Sequence, residues 1–195
     1  MRWNRTARWY NLLIAPFELL FLQRWRKRAV RAAATGGRLL EVGAGTGLNA
    51  RFHPPGAVGV MTDLSIAMIA EAVRRTDIPS RMGRVIADVE HLPFLERSFD
   101  VTLATLVFCE VQDPSAGLIE LRRVLAADGI AVFLEHVRPQ YWFLGPLFDA
   151  LNLITSRFGE HMNRRSVEMI VSAGYRIQND QSGIGTVIRL VSARR

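Results

Sequence analysis

The chain has 195 residues, 49% of them hydrophobic and 22% charged, which suits one packed α/β domain and excludes a disordered chain. Its single cysteine, Cys109, rules out an internal disulfide or a cysteine-cluster metal site, and no metal site is read elsewhere. Up to Gly37 eight basic residues face only Glu18, while beyond it there are seventeen of each sign; the formal +7 therefore sits on the N-terminal segment and points to an anionic surface, membrane or nucleic acid.

In chain order, residues 1–37 read as a basic, aromatic-rich helical extension in two pieces. Pro16 suits the first turn of the second piece, where its missing N–H costs nothing. In that piece Arg24, Lys27, Arg28 and Arg31 share one face, and Leu22, Trp25, Ala29 and Ala33 point elsewhere. Trp3, Trp9, Tyr10, Phe17, Phe21 and Trp25 are interleaved with the arginines, so the segment either lies in a lipid headgroup layer or caps the domain. The apolar run 12–22 is broken by Pro16 and Glu18 and is too short to span a bilayer, and no secretory signal is read. Thr35-Gly36-Gly37 ends the helix.

Residues 38–195 read as one domain of alternating strands and helices. Strands are expected over 38–42, 57–62, 84–87, 99–105 and 130–135. Helices are expected over 65–75, opened by Ser65, and from Asp113-Pro114 to just before Asp128-Gly129. Residues 163–173 read as a further helix, and 175–181 with 186–191 as a closing strand pair around Gly183 and Gly185. Such alternation predicts an α/β fold with an open, mostly parallel sheet and helices on both faces, its ligand beyond the C-terminal strand ends.

The first strand runs into Gly43-Ala-Gly-Thr-Gly47. Glycines there let the backbone turn sharply and approach a ligand without an intervening Cβ. A dinucleotide fingerprint wants a small residue where Leu48 stands, which counts against NAD or FAD. Asp63 follows the second strand, where a carboxylate can accept hydrogen bonds from a ribose diol. Asp88 follows the third, where an adenine amino group could donate to it.

With these features in view, the chain resembles the class I S-adenosylmethionine-dependent methyltransferases of the type 11 superfamily over residues 38–139. The matching stretches are Leu39-Leu-Glu-Val-Gly-Ala-Gly-Thr-Gly47, Asp63-Leu-Ser-Ile-Ala-Met68, Ala87-Asp-Val-Glu-His-Leu-Pro-Phe94, Ser98-Phe-Asp100 and residues 130–135. The resemblance implies a Rossmann-like seven-stranded sheet, S-adenosylmethionine as cofactor and S-adenosylhomocysteine as product. It implies that Glu41 and the loop of Gly43, Ala44, Gly45 and Gly47 hold the methionine moiety. Asp63 with Leu64 would take the ribose and Asp88 with Val89 the adenine; Thr105 and Leu106 would line the floor, Met68 would belong to the site, and Tyr10 would close over it.

Outside those motifs, His53-Pro-Pro-Gly56, Thr105-Leu-Val-Phe-Cys109, Leu134-Glu-His-Val137 and Gly159-Glu-His-Met-Asn-Arg164 resemble small membrane-associated thiol S-methyltransferases and bacterial phospholipid N-methyltransferase-like proteins. Glu160 departs from the cysteine common in those relatives. The resemblance implies a lipophilic acceptor, a phospholipid amine of the phosphatidylethanolamine type or a hydrophobic thiol, with a quinone-precursor carbon as the alternative. Residues 138–162 stand where relatives build the substrate lid, and Tyr141, Trp142, Phe143, Leu147, Phe148, Leu151 and Ile154 make them a greasy pocket wall or a packed helix.

Glu135 and His136, at the ligand end of the fifth strand, are the candidate bases for an acceptor that carries a proton; His136 could equally be satisfied by loop hydrogen bonds, and His161 has the same two readings. No Asp/Asn-Pro-Pro-Tyr/Phe signature follows the fourth strand, where Thr105-Leu-Val-Phe stands instead, so no nucleic-acid partner is expected. The expected setting is cytoplasmic, peripheral on the inner membrane face through residues 1–31.

Overall fold

The structure, a computed structural model, describes residues 3–136, 165–183 and 187–195. The expected lid at 138–162, with His161, lies outside the described residues.

Seven strands form one sheet: β1 (Arg38–Val42), β2 (Val58–Asp63), β3 (Met82–Ile86), β4 (Phe99–Thr105), β5 (Leu125–His136), β6 (Arg176–Gly183) and β7 (Ile188–Arg194). Their order is β3-β2-β1-β4-β5-β7-β6. The first five are parallel, and β7 joins β5 antiparallel, followed by β6. From β1 the chain moves outward to β2 and β3, then returns to β4 on the other side. That reversal leaves the crevice in which open α/β sheets bind ligands. The expected Rossmann-like architecture is the one observed.

Alternation along the strands sorts the core onto two faces. Leu40 and Val42 of β1 join Phe99, Phe133 and Leu121 under α4 (Pro114–Val124) and α5 (Ser166–Ser172). Leu39 of β1 joins Val101, Leu103, Val132 and Leu134 under α2 (Gln23–Ala33) and α3 (Ile66–Val73). Two helix starts are as read: Asp113 accepts from Ser115 and Ala116 N–H with Pro114 following, and Ser65 Oγ accepts from Met68 N–H.

Two expectations are corrected. The N-terminal helix does not restart at Pro16. Instead α1 (Trp3–Phe17) continues through Pro16 into a π turn, Glu18–Leu22, and on into α2. Proline removes one i→i−4 bond, and the wider turn re-closes the ladder, with Gln23 N–H donating to Glu18 O. The helix opened by Asp113 ends at Val124, and residues 125–128 are already extended. There β5 slips register against β4, from Phe99↔Leu125 to Val101↔Ile130.

The π turn splits the N-terminal side chains. Leu22, Ala29, Val30 and Ala33 are buried in the second core, whereas Phe17, Leu19, Leu20 and Phe21 are 44–71% exposed. Arg24, Lys27, Arg28 and Arg31 all face solvent. Trp25 packs inward over Gly183, with the Arg28 guanidinium 4.9 Å from its ring centroid. Among the described residues no helix is long and apolar enough to cross a membrane.

Candidate functional site

One cavity of about 490 Å³ opens at the C-terminal ends of β1, β2, β3 and β4. Its size falls in the range of small-ligand sites. Each strand delivers one group to it because the chain must turn there, and the residues of those turns line the mouth.

Beyond β1, Gly43, Gly45 and Gly47 have φ of +58°, +57° and +78°. Ala44 N–H donates to Thr62 O and Gly47 N–H to Ala44 O, both at 2.9 Å, which fixes the loop against β2. A Cβ on Gly45 would meet no protein atom within 4 Å, so it would project into the cavity. A Cβ on Gly43 would strike Val107, and one on Gly47 would press on Arg75 and Ile78. Gly47 thus serves the turn and does not border the cavity.

Beyond β2, the Asp63 carboxylate accepts from Gly45 N–H and Ser65 N–H, each at 2.8 Å. These bonds tie the glycine loop to the start of α3 and leave each oxygen a second lone pair for a ligand. Burial raises the Asp63 pKa, and the two N–H donors partly oppose that rise. Leu64 and Met68 lie beside it on the wall. Beyond β3, Asp88 takes Glu90 N–H on Oδ1 at 2.9 Å, with Val89 and Glu90 next to it at the cavity.

Beyond β4, Leu106 has φ +59°, a conformation that L side chains rarely adopt. Its N–H donates to Leu134 O at 2.7 Å. The Glu135 carboxylate accepts from Val107 and Phe108 N–H at 3.2 Å and pins the turn. Glu135 therefore corrects an expectation: it is 2% exposed and holds the β4 loop from behind instead of bordering the cavity. His136 does not border it either; its carbonyl accepts from the Ser166 hydroxyl at 3.4 Å.

Glu41 is corrected too. On β1 it sits on the α2 face, fully buried, with Asn49 Nδ2 donating to Oε1 at 2.8 Å and His53 Nε2 at 2.7 Å from Oε2. It supports the loop from below and does not reach the cavity wall. Asp63 and Asp88 do meet there, with Gly43, Ala44, Gly45, Leu64, Met68, Val89, Thr105, Leu106 and Tyr10.

α1 closes one side: Thr46 Oγ1 donates to Asn11 Oδ1 at 2.6 Å, and Tyr10 borders the cavity. Burial pushes the Tyr10 phenol up to about 12, so it stays protonated and serves as a donor, not a base. Tyr10→Phe is expected to weaken ligand binding about two- to tenfold, the worth of one hydrogen bond. A spectroscopic titration of wild type should show no Tyr10 ionisation below about pH 11, and a midpoint near an ordinary 10 would contradict the assignment.

Sequence reasoning missed Arg26, Glu90 and Glu110 at this cavity. For Arg26 the signal was present: with Leu22, Ala29, Val30 and Ala33 it completes a buried stripe at helical spacing, and a charge in such a stripe needs a partner. For Glu110 there was none, because its place depends on the turn at Leu106.

Residues 40–133 match the family model described as a methyltransferase domain. The ubiquinone/menaquinone biosynthesis C-methyltransferase of Geotalea uraniireducens is 34% identical over 66% of this chain and 57% of its own length. The human thiol S-methyltransferase TMT1B is 36% identical over 53% of this chain and 44% of its own. The chain thus spans about half the length of these curated relatives. A SAM-dependent methyltransferase structure from Thermotoga maritima superposes with TM-score 0.75, covering 100% of this chain and 99% of that one at 20% identity. The [4+2]-cyclase SpnF superposes with TM-score 0.71, covering 88% of this chain and 80% of its own at 17% identity. A protein named a cyclase thus shares the architecture, so the fold alone does not settle the reaction.

Proposed function

We propose that this chain, whose residues 40–133 match the methyltransferase-domain model, uses S-adenosylmethionine to methylate a lipophilic small molecule, a hydrophobic thiol or a phospholipid amine. The observation that carries the reading is the convergence of the Gly43–Gly45 turn, Asp63, Asp88 and Leu106 on one cavity at adjacent strand tips. The donor set fits the cofactor: Asp63 offers acceptors for a diol, Asp88 one for an amino group, and Gly45 leaves room for close approach.

When bound, the cofactor supplies a sulfonium methyl that is already activated, so placement of the acceptor provides most of the acceleration. Tyr10 and Arg26 border the site from the helical side, and Glu110, Val111 and Gln112 from the β4 loop. Glu110 brings a carboxylate to the cavity, where an acceptor thiol or ammonium could lose its proton; Glu135 is engaged behind the loop.

The lipophilic acceptor is supported by the π turn. Phe17 just before it and Leu19, Leu20 and Phe21 within it are exposed and adjoin the solvent-facing Arg24, Lys27 and Arg28, and an anionic membrane surface is the partner such a face suits. The relatives named for a thiol and for a quinone precursor make a quinone-ring carbon the competing acceptor.

The test is a labelled-methyl assay on a lipid extract, a panel of hydrophobic thiols and a quinone precursor, with products identified by mass. Vesicles containing phosphatidylglycerol should sediment the protein, and Leu19→Glu/Leu20→Glu should weaken that by at least about tenfold. Label in a thiol or phospholipid supports the reading. Label in the quinone ring alone, in tRNA or DNA, or in no product overturns it.

A further inference from the structure

We propose that Arg26 is the residue that binds the carboxylate at the amino-acid end of the cofactor. The proposal rests on reading the cavity as an S-adenosylmethionine site, and it adds a contact outside the glycine loop and the strand-tip acids.

Strand order sets the direction in which the ligand lies. Asp88 follows β3, Asp63 follows β2, the glycine loop follows β1, and Thr105 ends β4, in the spatial order β3-β2-β1-β4. Those tips span three strand spacings, about 14 Å. With the adenine at Asp88 and the ribose at Asp63, the remainder of the molecule extends across the β1 turn toward β4. Arg26 stands at that far end: its Nη1 donates to Thr105 Oγ1 at 3.3 Å and to Asn49 Oδ1 at 3.2 Å.

Charge selects the same residue. Among the described residues at the cavity, the carboxylates are Asp63, Asp88, Glu90 and Glu110, and Arg26 is the one cation. Arg26, whose counter-ion Glu18 is shared with Arg51, is the lining side chain with positive charge to offer a carboxylate, whereas the acids favour the sulfonium and ammonium of the same ligand. Arg26 is also pre-positioned. It is 5% exposed, and its Nε donates to Glu18 Oε2 at 2.9 Å, which fixes the plane of the guanidinium before a ligand arrives. With Nε committed to Glu18 and Nη1 to Asn49 and Thr105, Nη2 is left as the donor that a carboxylate can take, its direction set by those bonds.

A purely structural role, a strut between Glu18 of the π turn and the β4 tip, makes a different prediction. Calorimetry with S-adenosylmethionine and with its decarboxylated analogue separates the two, because the analogue lacks only the group that Arg26 is assigned to hold. Wild type should bind S-adenosylmethionine at least about tenfold more tightly than the analogue. In Glu18→Gln/Arg26→Met, which removes both buried charges together, that preference should fall at least about tenfold while binding of the analogue is largely kept. An unchanged preference in the folded variant overturns the proposal, as does a wild-type protein that binds both ligands equally, a result that needs no variant. A wild type that binds neither ligand overturns the cavity reading as well, so the two failures are distinguishable.

Discussion

Asp63→Ala is expected to weaken S-adenosylmethionine binding by at least about a hundredfold while the protein still folds. Two hydrogen bonds from a ribose diol to a carboxylate are worth about 1.5–3 kcal/mol each, which corresponds to a factor of about 10²–10⁴. The side chain also organises what surrounds it. Gly45 N–H and Ser65 N–H both terminate on its oxygens, so alanine frees the glycine turn from the start of α3. The carboxylate also makes stability depend on pH. Burial holds the Asp63 pKa above its ordinary 3.8, so the ionised form is disfavoured in the folded protein. Between the unfolded and the folded pKa the native state binds the extra proton, and stability therefore falls as pH rises through that window. Alanine removes that desolvated charge but also the acceptor of the Gly45 and Ser65 N–H groups, so its two effects on stability oppose each other. In wild type, cofactor affinity should drop on the acid side starting at a higher pH than for an exposed aspartate, because a protonated Asp63 loses acceptor capacity. Calorimetry at neutral pH and a pH series of dissociation constants check both points. Binding within about threefold of wild type would remove Asp63 from the site.

What the sequence made legible follows from how local each feature is. β1 and β4 have the expected limits, because each is a short apolar run bounded by chain-turning residues. The positions of Asp63 and Asp88 were legible for the same reason: a residue just past a parallel strand is at the ligand edge whatever the rest of the chain does. Glu41 was not, although it is only two residues from the glycine turn. Which way its carboxylate points depends on strand alternation, and what it meets depends on α2, Asn49 and His53. Glu135 failed similarly, since its partners are N–H groups of a turn that exists only because Leu106 adopts φ +59°. Pro16 was read as a boundary because proline normally ends a helix, and the wider π turn that accommodates it has no simple sequence signature.

The reassignment of Glu41 leads to the opposite pattern of effects from Asp63. Glu41 is fully buried, and His53, 2.7 Å away, has a side chain only 2% exposed. Asn49 Nδ2 bridges Glu41 Oε1 and Thr105 Oγ1, so the pair belongs to the network that joins β1 to the end of β4. Removing one partner of such a pair leaves a desolvated polar group without its counterpart, a loss of about 3–5 kcal/mol. His53→Ala should therefore lower the melting temperature by about 6–20 °C in a chain of this size. Glu41→Leu/His53→Leu, which removes both polar groups and refills the volume, should recover much of that loss. Cofactor affinity of the folded His53→Ala protein should stay within about fivefold of wild type, under about 1 kcal/mol, because neither side chain borders the cavity. Thermal melts alongside calorimetry separate the two roles. A His53→Ala protein that melts within about 2 °C of wild type would remove the buried pair from the stability of the fold. A stable Glu41→Gln protein that no longer binds the cofactor would return Glu41 to the binding site.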